Sequence, residues 1–330
     1  RIFSQTQATL HPTGVEHGTW TIVVGDLPME VTTFRRDVAT DGRRATIAFA
    51  DTFDEDAQRR DFTINALGLK KDGTIVDPTK TGMTDLKKGL VRFVGNAQDR
   101  CDEDALRVLR LFRFQGRMGQ WPMDTQALNA AKNTSLNHIS GERIWSEMKG
   151  IMETPNAHKV LPEMIKTQVT DKILPKQSFN IEKLEDVMQK EKDANINPHW
   201  ARRLYATTQR TRFPWPLSGK EAKHLKTIDD HKQWFGQAKI AAAATQNSDI
   251  GVDAWTLGKS KETNPVQAAK FGSQQKSPIQ AKDLMEQGIK PGPKLGKLIE
   301  AARNDWLDND LDLDKTKFLK KHTARKENIR

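Results

Sequence analysis

The stretch "DEDALRVLRLFRF", residues 102–114, divides the chain. Laid on a helix, Ala105, Val108, Leu109 and Phe112 fall at the i, i+3, i+4, i+7 spacing of a buried stripe. Arg107, Arg110 and Arg113 repeat every third position on another face, with Asp104 one turn before Arg107. Such a row is either a solvated surface or the wall of a site for an anionic, hydrogen-bonding ligand. Upstream of it the chain reads as strands; downstream, helical periodicity takes over.

The strand candidates are "TWTIVV" (19–24), "MEVTTFR" (29–35), "RATIAFA" (44–50), "TIVDPT" (74–79) and "LVRFVG" (90–95). Gly25-Asp26, Asp41-Gly42 and Asp72-Gly73 punctuate them, the last as a hairpin turn. Helical periods follow over 102–118, 124–133, 140–153, 156–168, 180–192, 218–246 and 294–307. Asn195–Pro198 and "NSDIG" (247–251) read as seams. The expectation is an α+β protein: a mixed-sheet head over 1–100, a helical neck over 101–155, a helical body over 156–246 and a helical tail over 247–330.

Fifty-three Lys and Arg against 43 Asp and Glu leave a net charge of +10 over 330 residues. That balance favours a polyanionic partner, nucleic acid first. Cys101 is the only cysteine, which excludes an intrachain disulfide and a cysteine-based zinc site. No apolar run approaches the length of a membrane span, and no signal peptide is evident. The expected location is cytoplasmic. The chain opens "RIFSQTQATL", without methionine, so an N-terminal segment is expected upstream.

In "EDAQRRDFTINALGL" (55–69), Arg59 and Arg60 precede Asp61 and Asn65. Guanidinium forks suit phosphate oxygens, and a carboxylate or amide suits ribose hydroxyls. A surface charge cluster is the alternative. Likewise Asp104 and Arg107, one turn apart, either meet the Watson–Crick edge of a base or form an i, i+3 salt bridge worth a few tenths of a kcal/mol.

The ordered motifs "PTGVEHGTWTIV" (12–23), "EVTTFRRD" (30–37), "RRDFTINAL" (59–67), "VDPTKTGMTDLKKGLVRFVG" (76–95), "EDALRVLRLFRF" (103–114) and "SGERIWSEM" (140–148) resemble those of the class II tRNA nucleotidyltransferase and bacterial poly(A) polymerase family. "IQAKDLMEQGIKPGPKLGKLIEAARNDWLDND" (279–310) is similar to the tail of its CCA-adding members. The resemblance implies a DNA polymerase β-like head, CTP and ATP as substrates, Mg2+ as cofactor and the acceptor arm of tRNA as partner. It also implies that Arg59, Arg60, Asp61 and Asn65 hold the ribose and triphosphate. Asp104 and Arg107 read the base, flanked by Arg110. Glu103, Glu142 and Arg143 support that pocket, and Glu30 matches a carboxylate beside the catalytic acids.

Members of the family carry a Gly-Gly-x-Val-Arg-Asp helix start and an Asp-x-Asp strand that bind magnesium. Neither the first motif nor a strand bearing the second is found in this sequence, so the chain as it stands is expected to catalyse little. "DNDLDLD" (308–314) is either an alternating acidic strand, able to hold a metal, or an acidic loop after the helix ending near Trp306. His17 in "EHGTW" reads as part of a strand-entry turn, and "TLHPTG" before it as turn-rich. Lys294 and Lys297, in the Gly/Pro-rich "GIKPGPKLGK", either grip RNA phosphates or flank a plain loop. The terminal "KTKFLKKHTARKENIR" is a phosphate-tracking tail or a disordered end. Trp200, Trp215 and Trp255 stack on bases or, more commonly for tryptophan, fill the core. An A-only adding enzyme and a non-catalytic RNA-binding relative are the competing readings.

Overall fold

In the computed structural model, residues 8–14, 18–40, 45–260 and 262–323 are described. The chain divides into two compact units, Arg1–Gln177 and Ser178–Arg330. The first thus holds the head, the neck and the start of the body as read from the sequence.

The first unit opens with an antiparallel sheet of β1 (Ala8–Gly14), β2 (Thr19–Val24) and β3 (Leu27–Thr32). "TLHPTG" therefore lies within a strand, with a register irregularity between His11 and Gly14. His17 lies outside the described residues. Gly18, at φ +65°, makes the entry to β2, where any side chain would run into Thr33 Oγ1. The register sets Trp20 opposite Val31 and Ile22 opposite Met29, an apolar face. Thr19 opposite Thr32 and Thr21 opposite Glu30 make the other face polar.

The predicted strand 29–35 is split by a bend: β3 ends at Thr32, and β4 (Arg35–Thr40) pairs instead with β5 (Ala45–Phe49). The Asp72-Gly73 turn joins the two-residue strands β6 (Gly68–Leu69) and β7 (Ile75–Val76), with Gly73 at φ +86°. "LVRFVG" is not a full strand. It pairs with the chain near Phe62 through a single bridge, Phe62 to Phe93, before a 3-10 turn at Thr63–Ala66 diverts the backbone.

Helices of the first unit are α1 (Phe53–Gln58), α2 (Gly82–Lys88), α3 (Ala97–Glu103), α4 (Leu106–Met118), α5 (Thr125–Asn133), α6 (Gly141–Met152), α7 (Ala157–Lys166) and α8 (Val169–Ile173). The expected helix 102–118 is broken. Asp104 takes an extended conformation (φ −148°, ψ 101°), and its carboxylate accepts from Leu106 N–H at 3.1 Å. Aspartate competes for exposed backbone donors in this way, so it ends one helix and starts the next. The predicted stripe holds: Ala105, Val108, Leu109 and Phe112 are all buried. Each large apolar side chain so buried contributes about 1.5–3 kcal/mol. That exceeds any surface ion pair, so the apolar stripe orients α4 and the arginines take the face that is left.

The second unit is helical: α9 (Ile181–Asp193), α10 (Trp200–Thr208), α11 (Gly219–Asp230), α12 (Ala238–Thr245), α13 (Ser248–Leu257), α14 (Pro265–Gln274), α15 (Ala281–Glu286), α16 (Pro293–Asp308) and α17 (Lys315–Thr323). The expected helix 218–246 is two helices separated by a 3-10 turn at Lys232–Trp234. "NSDIG" is not a seam but the cap and first turn of α13, with Asn247 accepting from Asp249 N–H at 2.8 Å. Gly251 there lets α13 press on α12, since a Cβ would come within 2.6 Å of the Ala238 carbonyl. Trp200, Trp215 and Trp255 are core residues. "DNDLDLD" is the turn between α16 and α17, with Asp310 and Leu311 at positive φ, so its aspartates do not alternate along a strand. Asp310 pairs with Lys239, and Asp314 accepts from Lys317 N–H.

Candidate nucleotide site

α1 is capped by Thr52 and ends at Arg59, so the pair Arg59-Arg60 leaves the helix just after its last turn. The preceding turn places Asp56 beneath both. Asp56 is 2% exposed. It accepts from Arg59 Nη2 at 2.8 Å, Arg60 Nε at 2.9 Å and the Arg35 backbone N–H at 3.1 Å. Burial alone would raise its carboxyl, but these donors outweigh it and hold the pKa below the ordinary value. Sequence reasoning missed Asp56. Its signal was there: an acid three and four residues ahead of two arginines on a short helix.

A second brace comes from α3 and α4. Arg100, also missed, is nearly buried and donates to the carbonyls of Arg59 and Arg60. Arg107 donates to the Arg100 carbonyl at 2.9 Å and to Glu103 Oε2 at 2.6 Å. Burial raises the Glu103 carboxyl, while hydrogen bonding and charge from Arg107 and Arg100 bring it below its usual range. The Arg59-Arg60 turn is therefore clamped through its backbone and its guanidiniums.

Asp61 is buried beside this turn. Its Oδ1 accepts from the Phe62 N–H and from Asn65 Nδ2, and its Oδ2 from Arg110 Nε at 2.7 Å. Asn65 returns its carbonyl to Arg60 Nη1. The four residues grouped by sequence thus form one hydrogen-bonded unit.

Asp104 and Arg107 do not pair. The Asp104 carboxylate meets Arg143 Nη2 of α6 at 2.9 Å, while Arg107 engages Glu103. The helix break turns Asp104 off the α4 axis, which removes the expected i, i+3 geometry. Arg113, the third of the arginine row, points to Glu147 at 2.6 Å inside the α4–α6 packing.

These groups line one cavity of about 610 Å³, with Thr32, Asp56, Arg59, Arg60, Asp61, Asn65, Asp104, Arg107, Arg110, Phe114 and Arg143 on its walls. Five arginines face three aspartates there, so the lining favours an anion. Phe114 adds an aromatic face, with the Arg110 and Arg113 guanidiniums 5.8 and 5.3 Å from its ring centre. Glu30 is exposed on the polar face of β3, two residues from Thr32. Glu142 is exposed in the first turn of α6, where it does not line the cavity. Lys294 and Lys297 are exposed near the start of α16, in the other unit.

The carboxylates lining the cavity are all engaged by arginines, and Glu30 is not among its walls. Among the described residues, no group of three or more metal-ligating side chains falls in the head.

An arginine-walled cavity beside a small sheet suits a protein that handles nucleotides, and comparison with known proteins gives the class. Residues 1–92 match the poly A polymerase head domain, and residues 124–180 match the probable RNA and SrmB-binding site of polymerase A. A CCA-adding enzyme of Streptococcus pneumoniae (serotype 19F, strain G54) is 32% identical over 321 residues, covering 91% of this chain and 80% of the relative. The mitochondrial CCA tRNA nucleotidyltransferase 1 of Mus musculus is 31% identical over 325 residues, covering 93% and 75%. The Bacillus stearothermophilus CCA-adding enzyme in complex with CTP shares the fold at a TM-score of 0.67 and 23% identity, covering 97% of this chain and 86% of that one. The Thermotoga maritima CCA-adding enzyme complexed with tRNA does so at 0.63 and 18%, covering 97% and 81%. The chain belongs to the tRNA nucleotidyltransferase and poly(A) polymerase family.

Proposed function

We propose that this chain serves CCA addition: it selects CTP and ATP, without a nucleic-acid template, for the 3′ end of tRNA. The observation that carries the reading is the braced Arg59-Arg60 turn opening onto the same cavity as Asp104, Arg107 and Arg143. A triphosphate is a multidentate anion, and guanidiniums fixed in advance bind it without first losing side-chain freedom. The base end needs an acceptor for an exocyclic amine and a donor for ring nitrogen or carbonyl. Cytosine and adenine both present an amine beside a ring acceptor, whereas guanine and uracil present a carbonyl beside a ring N–H. Asp104 with Arg107 or Arg143 matches the first pattern and opposes the second.

The naming of the relatives supports tRNA as the acceptor, and the net charge of +10 is consistent with binding its backbone. Lys294 and Lys297 are proposed to contact RNA phosphates, Glu30 to stand near the transfer centre, and Glu142 to support the neck through its place at the α6 N-terminus. No helix among the described residues is long and apolar enough to cross a membrane.

Equilibrium binding of the four ribonucleoside triphosphates tests the reading. CTP and ATP should compete for one site, with GTP and UTP weaker by at least about tenfold, or 1.4 kcal/mol. Equal binding of all four overturns the proposal. Binding of ATP but not CTP replaces it with A-only addition.

A further inference from the structure

In the second unit, three helices bring metal-ligating groups together. His199 precedes the first residue of α10, His224 lies on α11, and Asp253 lies on α13. One ligand atom from each lies within 4.8 Å of the other two. His224 Nε2 is 2.6 Å from Asp253 Oδ2, and the His199 and His224 ring centres are 5.1 Å apart. Asp253 is 1% exposed. His199 Nδ1 is buried and has no hydrogen-bond partner. A buried polar atom left unsatisfied is costly, and its presence calls for an explanation such as an ion.

We propose that His199, His224 and Asp253 form a binding site for a late first-row divalent cation, zinc above all. Two imidazoles and one carboxylate are a zinc donor set with a fourth position for water. Magnesium and calcium prefer all-oxygen surroundings, which this site does not offer. The carboxylate is already oriented. Arg202 Nε holds Asp253 Oδ1 at 2.8 Å, leaving Oδ2 turned to the histidines, as an outer partner does for a ligating group. Arg202 also brings a positive charge. Glu191 offsets it, lying 3.4 Å from Arg202 Nη1 and 2.6 Å from Arg203 Nη2. The ion would take the place of the proton shared by His224 and Asp253 and would engage the idle His199 nitrogen, tying α10, α11 and α13 into one unit. A plain buried ion network is the rival account, and it leaves His199 Nδ1 unused.

The test uses the tag-free 330-residue chain, stripped with a chelator and titrated with zinc and, separately, cobalt(II). One equivalent of each should bind, cobalt with the strong visible bands of four-coordination, and zinc should raise the melting temperature. His199→Gln and His224→Gln should each weaken zinc binding by more than about tenfold, since even outer-shell changes cost 10–100-fold. Their circular dichroism and CTP binding should match those of the unsubstituted chain. Asp253 is left intact because its loss would strand Arg202. Failure to bind either metal from micromolar solution overturns the proposal. So does binding that survives in both variants, which would belong to other histidines.

Discussion

Asp56→Asn offers a sharp perturbation of the nucleotide cavity. The substitution keeps the size of a buried side chain but removes the charge that gathers Arg59, Arg60 and the Arg35 amide. Losing one partner of a fully buried ion pair costs about 3–5 kcal/mol. Here the arginine side chains are 26% and 36% exposed and can turn to water, so the cost falls to about 2–3 kcal/mol. For a unit of this size, that corresponds to a melting temperature lower by about 4–12 °C. The freed arginines also lose their fixed aim. If the equivalent of one charge-assisted hydrogen bond to phosphate is lost, CTP and ATP bind about 10–100-fold more weakly. Thermal melts and calorimetric titration read both effects, with Asp54→Asn, exposed in the first turn of the same helix, as the control that costs under about 1 kcal/mol of stability and leaves CTP binding unchanged. A variant that melts lower yet binds CTP within about twofold of the original would refute the claim that Asp56 organises a phosphate grip.

Arg143→Ala should blur discrimination of CTP and ATP from GTP and UTP, at a stability cost below about 1 kcal/mol because its pair with Asp104 is 43% and 33% exposed. Arg107→Ala should reduce the same discrimination and also lower the melting temperature, since Arg107 braces Glu103 and the Arg100 carbonyl. Asp56 and Glu103 have folded pKa values below their ordinary ones, so their stabilisation is present above the carboxylate range. It is lost as pH falls through the folded values, and acid unfolding of Asp56→Asn should show a shallower loss than the original chain. The double substitution Lys294→Ala with Lys297→Ala should weaken tRNA binding and reduce its logarithmic salt slope by about 1.4–1.8, measured by filter binding across salt concentrations.

The sequence made the division into a strand-rich head and a helical remainder legible because periodicity is a local property. The α4 stripe was readable at single-residue level for the same reason. The helix break at Asp104 was less so: a 13-residue apolar period outweighs one capping residue until the backbone is seen. The break turns Asp104 to Arg143, while the buried stripe aims the arginine row, so Arg107 meets Glu103, Arg110 meets Asp61 and Arg113 meets Glu147. Partners separated by 34 to 49 residues along the chain leave no periodic trace. Asp56 and Arg100 were overlooked because they act beneath the site, on the residues that line it. The small-residue packing of α12 and α13 hid in the same way: Gly251 looked like loop punctuation, yet it is the contact that lets the helices touch.

Side chains, and not a template, are proposed to read the edge of the incoming base. A crystal structure of the chain with bound CTP measures this directly. The cytosine amine should lie about 2.7–3.2 Å from the Asp104 carboxylate, its ring nitrogen or carbonyl at the same reach from the Arg107 or Arg143 guanidinium, and its phosphates against Arg59 and Arg60. A base edge turned to solvent, with Asp104 still closed on Arg143, would contradict it.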